Sequence, residues 1–407
     1  CSMNRFTRQM ASYLQQFGAV VRNEFRTIFT DGGVLLILVF AMLIYATAYS
    51  LAYGSQVLRN VPIGVVDACR TATSRSLIET FNAGPNTYVA YEPTDMEEAR
   101  ELFYGRKIYG VVYIPSDYER KLVGGSQADV AIYCDASYFL MYRQVFQELV
   151  TTIGQTGAMV EFRRLIAKGA DIPQAQAVTQ PVIYQSHNLF NPYLGYGTFV
   201  MPAIIIVIIQ QTMLIGIGMI GGTWREHGLY RKLRPAGRGR MSTLPIVLGR
   251  ATVYALIYAA TCAYVLGLHY RMFHFPMNGQ TGAVALFTAV YLAACIAMSI
   301  AVSTLFRYRE NSLLLLLWTS IPVLMLSGIS YPREGIPEWM FALGKLFPSS
   351  HGVNGFIRIQ TMGASLGEVF AEIKWLVILT VAYGGLACIG IHQVIRREER
   401  ERCGKGE

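Results

Sequence analysis

Charge is scarce in this chain: only 15% of its 407 residues are Asp, Glu, Lys or Arg. The scarcity is concentrated in six apolar runs, at 34–54, 197–222, 245–268, 282–306, 312–330 and 373–395, whose interiors hold no acid or base except Arg250, near one end of its run, with Lys374 at the edge of the last. A hydrocarbon core of about 30 Å takes roughly 20 apolar helical residues to cross. One Arg or Lys at a helix centre costs roughly 3 kcal/mol on insertion. Six such runs, in a chain that is 53% hydrophobic with a mean hydropathy of +0.35, exclude an ordinary soluble core. They predict a polytopic α-helical membrane protein with six transmembrane helices.

Metal-binding and catalytic signatures are missing as well. The seven cysteines form no C-x-x-C pair and have no ligand spacing with histidine, so no metal site is expected. Neither G-x-x-x-x-G-K-S/T nor H-E-x-x-H occurs. The six histidines, His187, His227, His269, His274, His351 and His392, lie singly on loops or span ends, where structural or interfacial roles predominate. No catalytic residue and no cofactor are therefore assigned to the chain, and whatever energy it uses must come from another chain or an ion gradient.

The charge that remains is mostly positive, net +9, and it sits beside the runs. Arg5, Arg8, Arg22 and Arg26 precede the first run; Arg225, Arg231, Lys232, Arg234, Arg238 and Arg240 separate the second and third. Arg307 and Arg309 lie between the fourth and fifth, and Arg396, Arg397, Arg400, Arg402 and Lys405 follow the sixth. The intervening gap 269–281 holds only Arg271. Cytoplasmic loops collect Lys and Arg, so both termini are predicted cytoplasmic, and the charge implies lipid headgroups rather than nucleic acid. The first run is longer than the 7 to 15 apolar residues of a cleavable signal and reads as an uncleaved anchor.

The segments follow from this topology. Residues 1–33 carry an amphipathic pattern, Phe6, Met10, Tyr13, Leu14, Phe17, Val21, Phe25 and Ile28, expected to lie in the cytoplasmic interface or against a soluble neighbour; Asp31, Gly32 and Gly33 end it. After the first span at 34–54, residues 55–195 are long enough for an extracytoplasmic domain. Strand-like pieces at 61–67, 87–92, 108–114 and 129–134 alternate there with helical ones at 74–81 and 138–168, which predicts an α/β layer with a mainly parallel sheet. Helix starts are marked by Thr94-x-x-Glu97 and Ser116-x-x-Glu119. Cys69 and Cys134 each follow a predicted strand; they either meet as a disulfide or are separate buried thiols.

Residues 196–395 hold the other five spans, and 396–407 form a basic cytoplasmic tail. The gap at 223–244 is too polar for lipid. A short helix through Glu226 to Arg234 would place Leu229 and Leu233 on one side. The late segment 331–372, with Tyr331, Pro332, Pro337, Trp339 and Pro348, is apolar but too interrupted to cross. It is expected to form a re-entrant or surface-lying helical pair at the outer mouth. Polar groups that mark a pathway or a helix interface are Gln210 and Gln211 in the second span and Glu310 and Asn311 at the entrance of the fifth.

Several stretches together resemble the permease subunits of type 2 ABC exporters with a large external domain between the first two spans. They are Val61-Pro-Ile-Gly-Val-Val-Asp67, Glu97-Glu-Ala-Arg-Glu-Leu102, Gly110-Val-Val-Tyr-Ile-Pro115, Glu226-His-Gly228 with Leu233 and Pro235, Leu326-Ser-Gly-Ile-Ser-Tyr-Pro332, Ile336-Pro-Glu-Trp339, Leu346-Phe-Pro348 and Gly355-Phe-Ile-Arg358. The resemblance implies a transport subunit in the inner or plasma membrane that forms a homo- or heterodimer with a second permease. It also implies that ATP and Mg are held by separate cytoplasmic ATPase subunits, docked through Glu226, His227, Gly228, Leu233 and Pro235, and that the external domain can meet a periplasmic adaptor. Leu229 and Arg231 stand where the family usually has a hydroxyl residue and an acid, which implies a contact tuned to one partner. From a different class, a membrane-anchored scaffold whose external domain recruits an envelope partner has the same span pattern.

Overall fold

A computed structural model describes residues 2–183, 185–233 and 243–403. The chain forms two compact units, one of Cys1–Gln56 with Asn188–Glu407 and one of Val57–His187.

In the first unit, helix α1 (Ser2–Thr30) buries a stripe at four-residue spacing, Gln16, Val20, Glu24 and Ile28. It leaves Leu14, Phe25 and Phe29 exposed. Asp31 breaks the helix as expected: its Oδ1 accepts the amides of Gly33 and Val34 at 3.0 and 3.2 Å and so caps the next helix. That helix, α2 (Gly32–Ala52), is followed in this unit by α8 (Tyr196–Glu226), α9 (Leu244–Met272), α10 (Thr281–Ser303) and α14 (Phe370–Glu401). Among the described residues these five are long and apolar enough to cross a membrane. The fifth run, 312–330, folds as the 18-residue α11 (Arg309–Leu326). Its first four residues are polar and Pro322 lies within it, so its apolar part is shorter than that of the other five.

The late segment is a helical pair. Exposed Pro337 precedes α12 (Glu338–Gly344), which carries exposed Trp339; buried Pro348 starts α13 (Pro348–Phe356) at N1, where its missing N–H costs nothing. Tyr331 and Pro332 are exposed. Helix α13 is itself buried and packs on α8, α10 and α14. Gly352 sits against the Tyr291 ring and Gly355 against the Phe287 ring, with no room for a Cβ. Arg358 pairs with Glu372 at 3.1 Å, which ties the segment to the start of α14.

The second unit is a three-layer α/β fold. Its sheet has the order β2-β1-β3-β4, from β1 (Val61–Asp67), β2 (Thr87–Tyr91), β3 (Gly110–Ile114) and β4 (Ala131–Cys134). β2 and β3 run parallel to β1, and β4 is antiparallel to β3. Val61, Ile63, Val65, Val112 and Ile114 face α3 (Ala72–Asn82) and α6 (Phe139–Ala167), and Val66 and Val111 face α4 (Met96–Tyr104). Gly169, at φ +89°, follows the end of α6.

Two capping expectations are corrected. Asp95, not Thr94, caps α4, because its carboxylate accepts the amides of Glu97 and Glu98 while Glu98 reaches back to Thr94. Ser116 caps nothing: α5 (Tyr118–Val123) begins at Asp117, and the Glu119 carboxylate accepts the Thr73 hydroxyl instead. The disulfide reading is also corrected, since Cys69 and Cys134 are both free thiols. Cys134 pairs with Gly110, which is level with Ile63 on β1. Cys69 lies beyond Asp67, at the opposite end of the sheet; Ile63 to Asp67 alone spans roughly 13 Å along the strand direction. A disulfide allows Cα atoms about 7 Å apart at most.

Candidate functional site

The most tightly bonded part of the first unit is the end where the arginine-rich segments meet. Helix α8 runs on to Glu226 and then stops, because Gly228 takes φ +61° and the Leu229 amide closes onto the Trp224 carbonyl at 2.8 Å. This left-handed closure is one that glycine adopts without steric cost. The expected helix through 226–234 is therefore replaced by a sharp corner and a short 3-10 turn, Tyr230–Leu233. Glu226 and His227 stand exposed at that corner, while Leu229 and Leu233 pack against the helix core. Pro235 lies outside the described residues.

Each neighbour of the corner is bonded to a different helix. The Arg225 guanidinium donates to the Thr304 carbonyl at the end of α10, 2.9 Å away. The Arg231 amide donates to Glu398 of α14 at 3.0 Å. The Gln16 amide of α1 donates to the Leu233 carbonyl at 3.0 Å. Behind them, Arg250 of α9 is fully buried and pairs with the equally buried Glu24 of α1, Nε to Oε1, at 2.9 Å. The Tyr254 hydroxyl donates to the same carboxylate, and the Arg250 guanidinium lies 4.9 Å from the Trp224 ring centre. Trp224 in turn meets Tyr230 edge to face at 5.5 Å. Burial pushes the Tyr230 phenol above its ordinary pKa, so it stays protonated. Asp31 joins the start of α11 to this end through both oxygens to Arg309, one at 2.9 Å, which holds its carboxyl below the usual carboxylate range.

The Glu24–Arg250 pair was missed in the sequence, yet two signals were there. Arg250 is the one charge inside an apolar run, and Glu24 lies on the 16-20-24-28 stripe that the helix buries. A buried charge is retained only when paired, so the acid on that stripe was the partner to look for.

Comparison with known proteins gives this bonded end its context. Residues 32–389 match the ABC-2 family transporter protein description. The chain belongs to the ABC-2 transporter family. Over 372 residues it is 21% identical to the probable multidrug ABC transporter permease YbhR of Escherichia coli K12, covering 90% of this chain and 96% of that protein. Over 385 residues it is 24% identical to the inner membrane transport permease YhhJ of the same organism, covering 91% and 96%. It is also 20% identical over 365 residues to ABC transporter G family member 20 of Dictyostelium discoideum, covering 89% of this chain and 48% of that protein. The chain is thus a multi-pass membrane permease subunit of an ABC transporter.

The other sequence-derived residues of this permease fall in separate places. Gln210 is buried, and its Oε1 accepts the Ser349 amide at 2.7 Å, so it joins α8 to the first turn of α13. Gln211 is 9% exposed, and neither amide atom has a partner among the described residues. Glu310 and Asn311 lie exposed in the first turn of α11, at the arginine-rich end. These four do not converge on one cavity.

Proposed function

We propose that this permease is an exporter subunit that works as a dimer with a second permease, identical or paralogous, and is driven by separate cytoplasmic ATPase subunits that hold ATP and Mg. In this reading the chain crosses the membrane six times, with both termini and segment 223–244 in the cytoplasm and Val57–His187 outside, where an adaptor would meet it. Helix α11 is the fifth crossing: its 18 residues extend about 27 Å at 1.5 Å per residue, of which the apolar part from Leu313 to Leu326 extends about 21 Å and the polar first turn sits in the headgroup layer. The bonds from Arg225 to Thr304 and Arg231 to Glu398 join the basic end of α8 to those of α10 and α14, and the bond from Arg309 to Asp31 joins α11 to the start of α2. That convergence supports one common cytoplasmic face.

The observation that carries the coupling role is the attachment of the exposed Glu226–His227 corner, through its immediate neighbours, to α1, α9, α10 and α14. Force applied there by a closing ATPase pair cannot be absorbed by a loose loop and reaches four helices at once. ATP then biases two arrangements of the bundles, as coupling requires. In this reading α11, which leaves Leu314, Leu317, Trp318 and Ile321 exposed, lies at the dimer seam, and α8, buried within the subunit, carries Gln211 as the pathway residue.

In proteoliposomes with the partner ATPase, Glu226→Ala combined with Leu233→Asp should abolish stimulation of ATP hydrolysis while insertion stays normal. Stimulation equal to the parent's would remove the coupling assignment. Cysteines placed at 126 and 236 should react with an impermeant maleimide from outside and from inside, respectively, and the opposite pattern would overturn the topology.

A further inference from the structure

At the end of the bundle away from the arginine-rich segments, α9 and α10 flank an open cleft of about 390 Å³. Its walls are small: Ala259, Ala263 and Gly267 recur every four residues on α9, and Ala285 and Ala289 do so on α10. A Cβ added at Gly267 would meet nothing within 4 Å, so no neighbouring side chain fills the space. The volume lies within the range of small-molecule sites, which combine apolar walls with a few convergent polar groups.

Two such residues are present. Gln360, 2% exposed, and Thr288, 6% exposed, both line the cleft; the Gln360 Nε2 and the Thr288 hydroxyl are buried atoms with no hydrogen-bond partner among the described residues. A buried donor left unpaired is costly, and costlier still where the surroundings are hydrocarbon. Gln360 is nonetheless held firmly. Its carbonyl accepts the Asn278 amide at 3.1 Å, and the Asn278 side chain donates to the Thr361 carbonyl at 2.7 Å. Gln360 sits in a π-helical stretch, Ile357–Thr361, and Gly267 in another, Tyr264–His269; such stretches recur at functional sites. Exposed Arg271 completes the lining and supplies positive charge.

We propose that this cleft binds an anionic phospholipid of the surrounding leaflet. The acyl chain lies along the alanine and glycine walls, the Gln360 and Thr288 side chains turn into the cleft so that an ester carbonyl oxygen accepts from Gln360 Nε2 and the Thr288 hydroxyl, and the phosphate pairs with Arg271. The site requires only that the chain spans a membrane, and it stands whether or not the export reading does.

The test uses the full chain purified in detergent and a phosphatidylglycerol with a diazirine in one acyl chain, the adducts being mapped by mass spectrometry. Adducts should concentrate on 259–267 and 285–289. Ala263→Leu with Gly267→Leu should lower them about tenfold by filling the groove, and Thr288→Val with Gln360→Leu by about tenfold through the two lost hydrogen bonds. Arg271→Gln changes an exposed side chain and leaves packing alone; it should remove the preference for this probe over the matching phosphatidylcholine probe. Adducts spread evenly over all lipid-facing helices, or a filled groove that labels like the parent, would overturn the proposal. So would an Arg271 variant that keeps the headgroup preference.

Discussion

Removing the Glu24 carboxylate should be the most costly single change at the arginine-rich end of the bundle. In Glu24→Ala, the Arg250 guanidinium remains fully buried and keeps, among the described residues, the Tyr254 hydroxyl at 3.4 Å and the Trp224 ring at 4.9 Å. A desolvated cation–π contact returns about 2 kcal/mol, whereas stranding one charge of a buried pair costs about 3–5 kcal/mol. The stranded charge therefore dominates. Glu24→Gln keeps an oxygen for Arg250 Nε and loses only the charge, for roughly 1.5–3 kcal/mol. Glu24→Leu with Arg250→Met removes both charges together and should lie within about 1 kcal/mol of the parent, or above it. The assay is unfolding of the purified protein in mixed micelles, with midpoint shifts converted by the parent's slope. The double-mutant cycle should return a coupling above about 2 kcal/mol. The reasoning fails if Glu24→Ala costs less than about 0.5 kcal/mol, the range of ordinary surface changes, or if the double variant loses as much as the two single variants added together.

Two further outcomes follow from groups outside the spans. Because Arg309 lowers the Asp31 carboxyl from its ordinary 3.8, the pair's contribution is fully present above that value and is lost as pH falls through the lower folded value. The difference in melting between parent and Asp31→Asn, which keeps a capping oxygen, should thus be small, below about 1 kcal/mol, and constant from pH 7 to about 5 before vanishing in acid; a difference that grows on acidification would contradict the pairing. Burial pushes the Cys134 thiol up to about 11, so in the folded protein iodoacetamide should modify it slowly at pH 7.5 and progressively faster towards pH 10. After denaturation without reductant both Cys69 and Cys134 should be alkylated, and a mass corresponding to a Cys69–Cys134 bridge would refute the strand geometry.

What the sequence made legible depended on how many residues voted for each feature. The membrane helices α2, α8, α9, α10 and α14 were readable because some twenty side chains in each obey one solvent, and β1 was placed to the residue by Val61–Asp67 between turn signals. Features resting on one or two residues fared worse. Thr94 and Asp95 are both good caps, and only the register of α4 against the sheet selects Asp95. The 312–330 run looks like its neighbours until the helix is seen to begin at Arg309, which leaves less apolar length to cross with. Cys69 and Cys134 seemed able to meet because strand ends were counted without strand direction; the antiparallel β4 carries its end to the far side of the sheet. Glu24 read as one more polar residue on an amphipathic helix, since its meaning lies in Arg250, 226 positions away.

Small residues serve opposite purposes at the two ends of this bundle, and what lies across from them decides which. At the arginine-rich end, a Cβ on Gly222 would come within 2.7 Å of the Tyr308 carbonyl oxygen, one on Gly221 within 2.7 Å of Ser303 Cβ, and one on Gly249 within 3.0 Å of Val20. There the missing side chains bring backbones together, so that Arg225, Arg231 and Arg250 can reach across short gaps, and the helices move as one block. At the other end, Ala259, Ala263 and Gly267 line the cleft and a Cβ on Gly267 would meet nothing within 4 Å, so the same economy of side chain leaves a gap instead of a contact. A transporter needs both: a stiff end that accepts force without dissipating it, and elsewhere enough free volume for helices to change their packing, since a close-packed interior transmits strain rather than yielding to it. A lipid in the α9–α10 cleft would fill that volume and hold the two helices in one arrangement. Its occupancy therefore offers a way for the surrounding leaflet to set how readily the bundle moves when its stiff end is pushed.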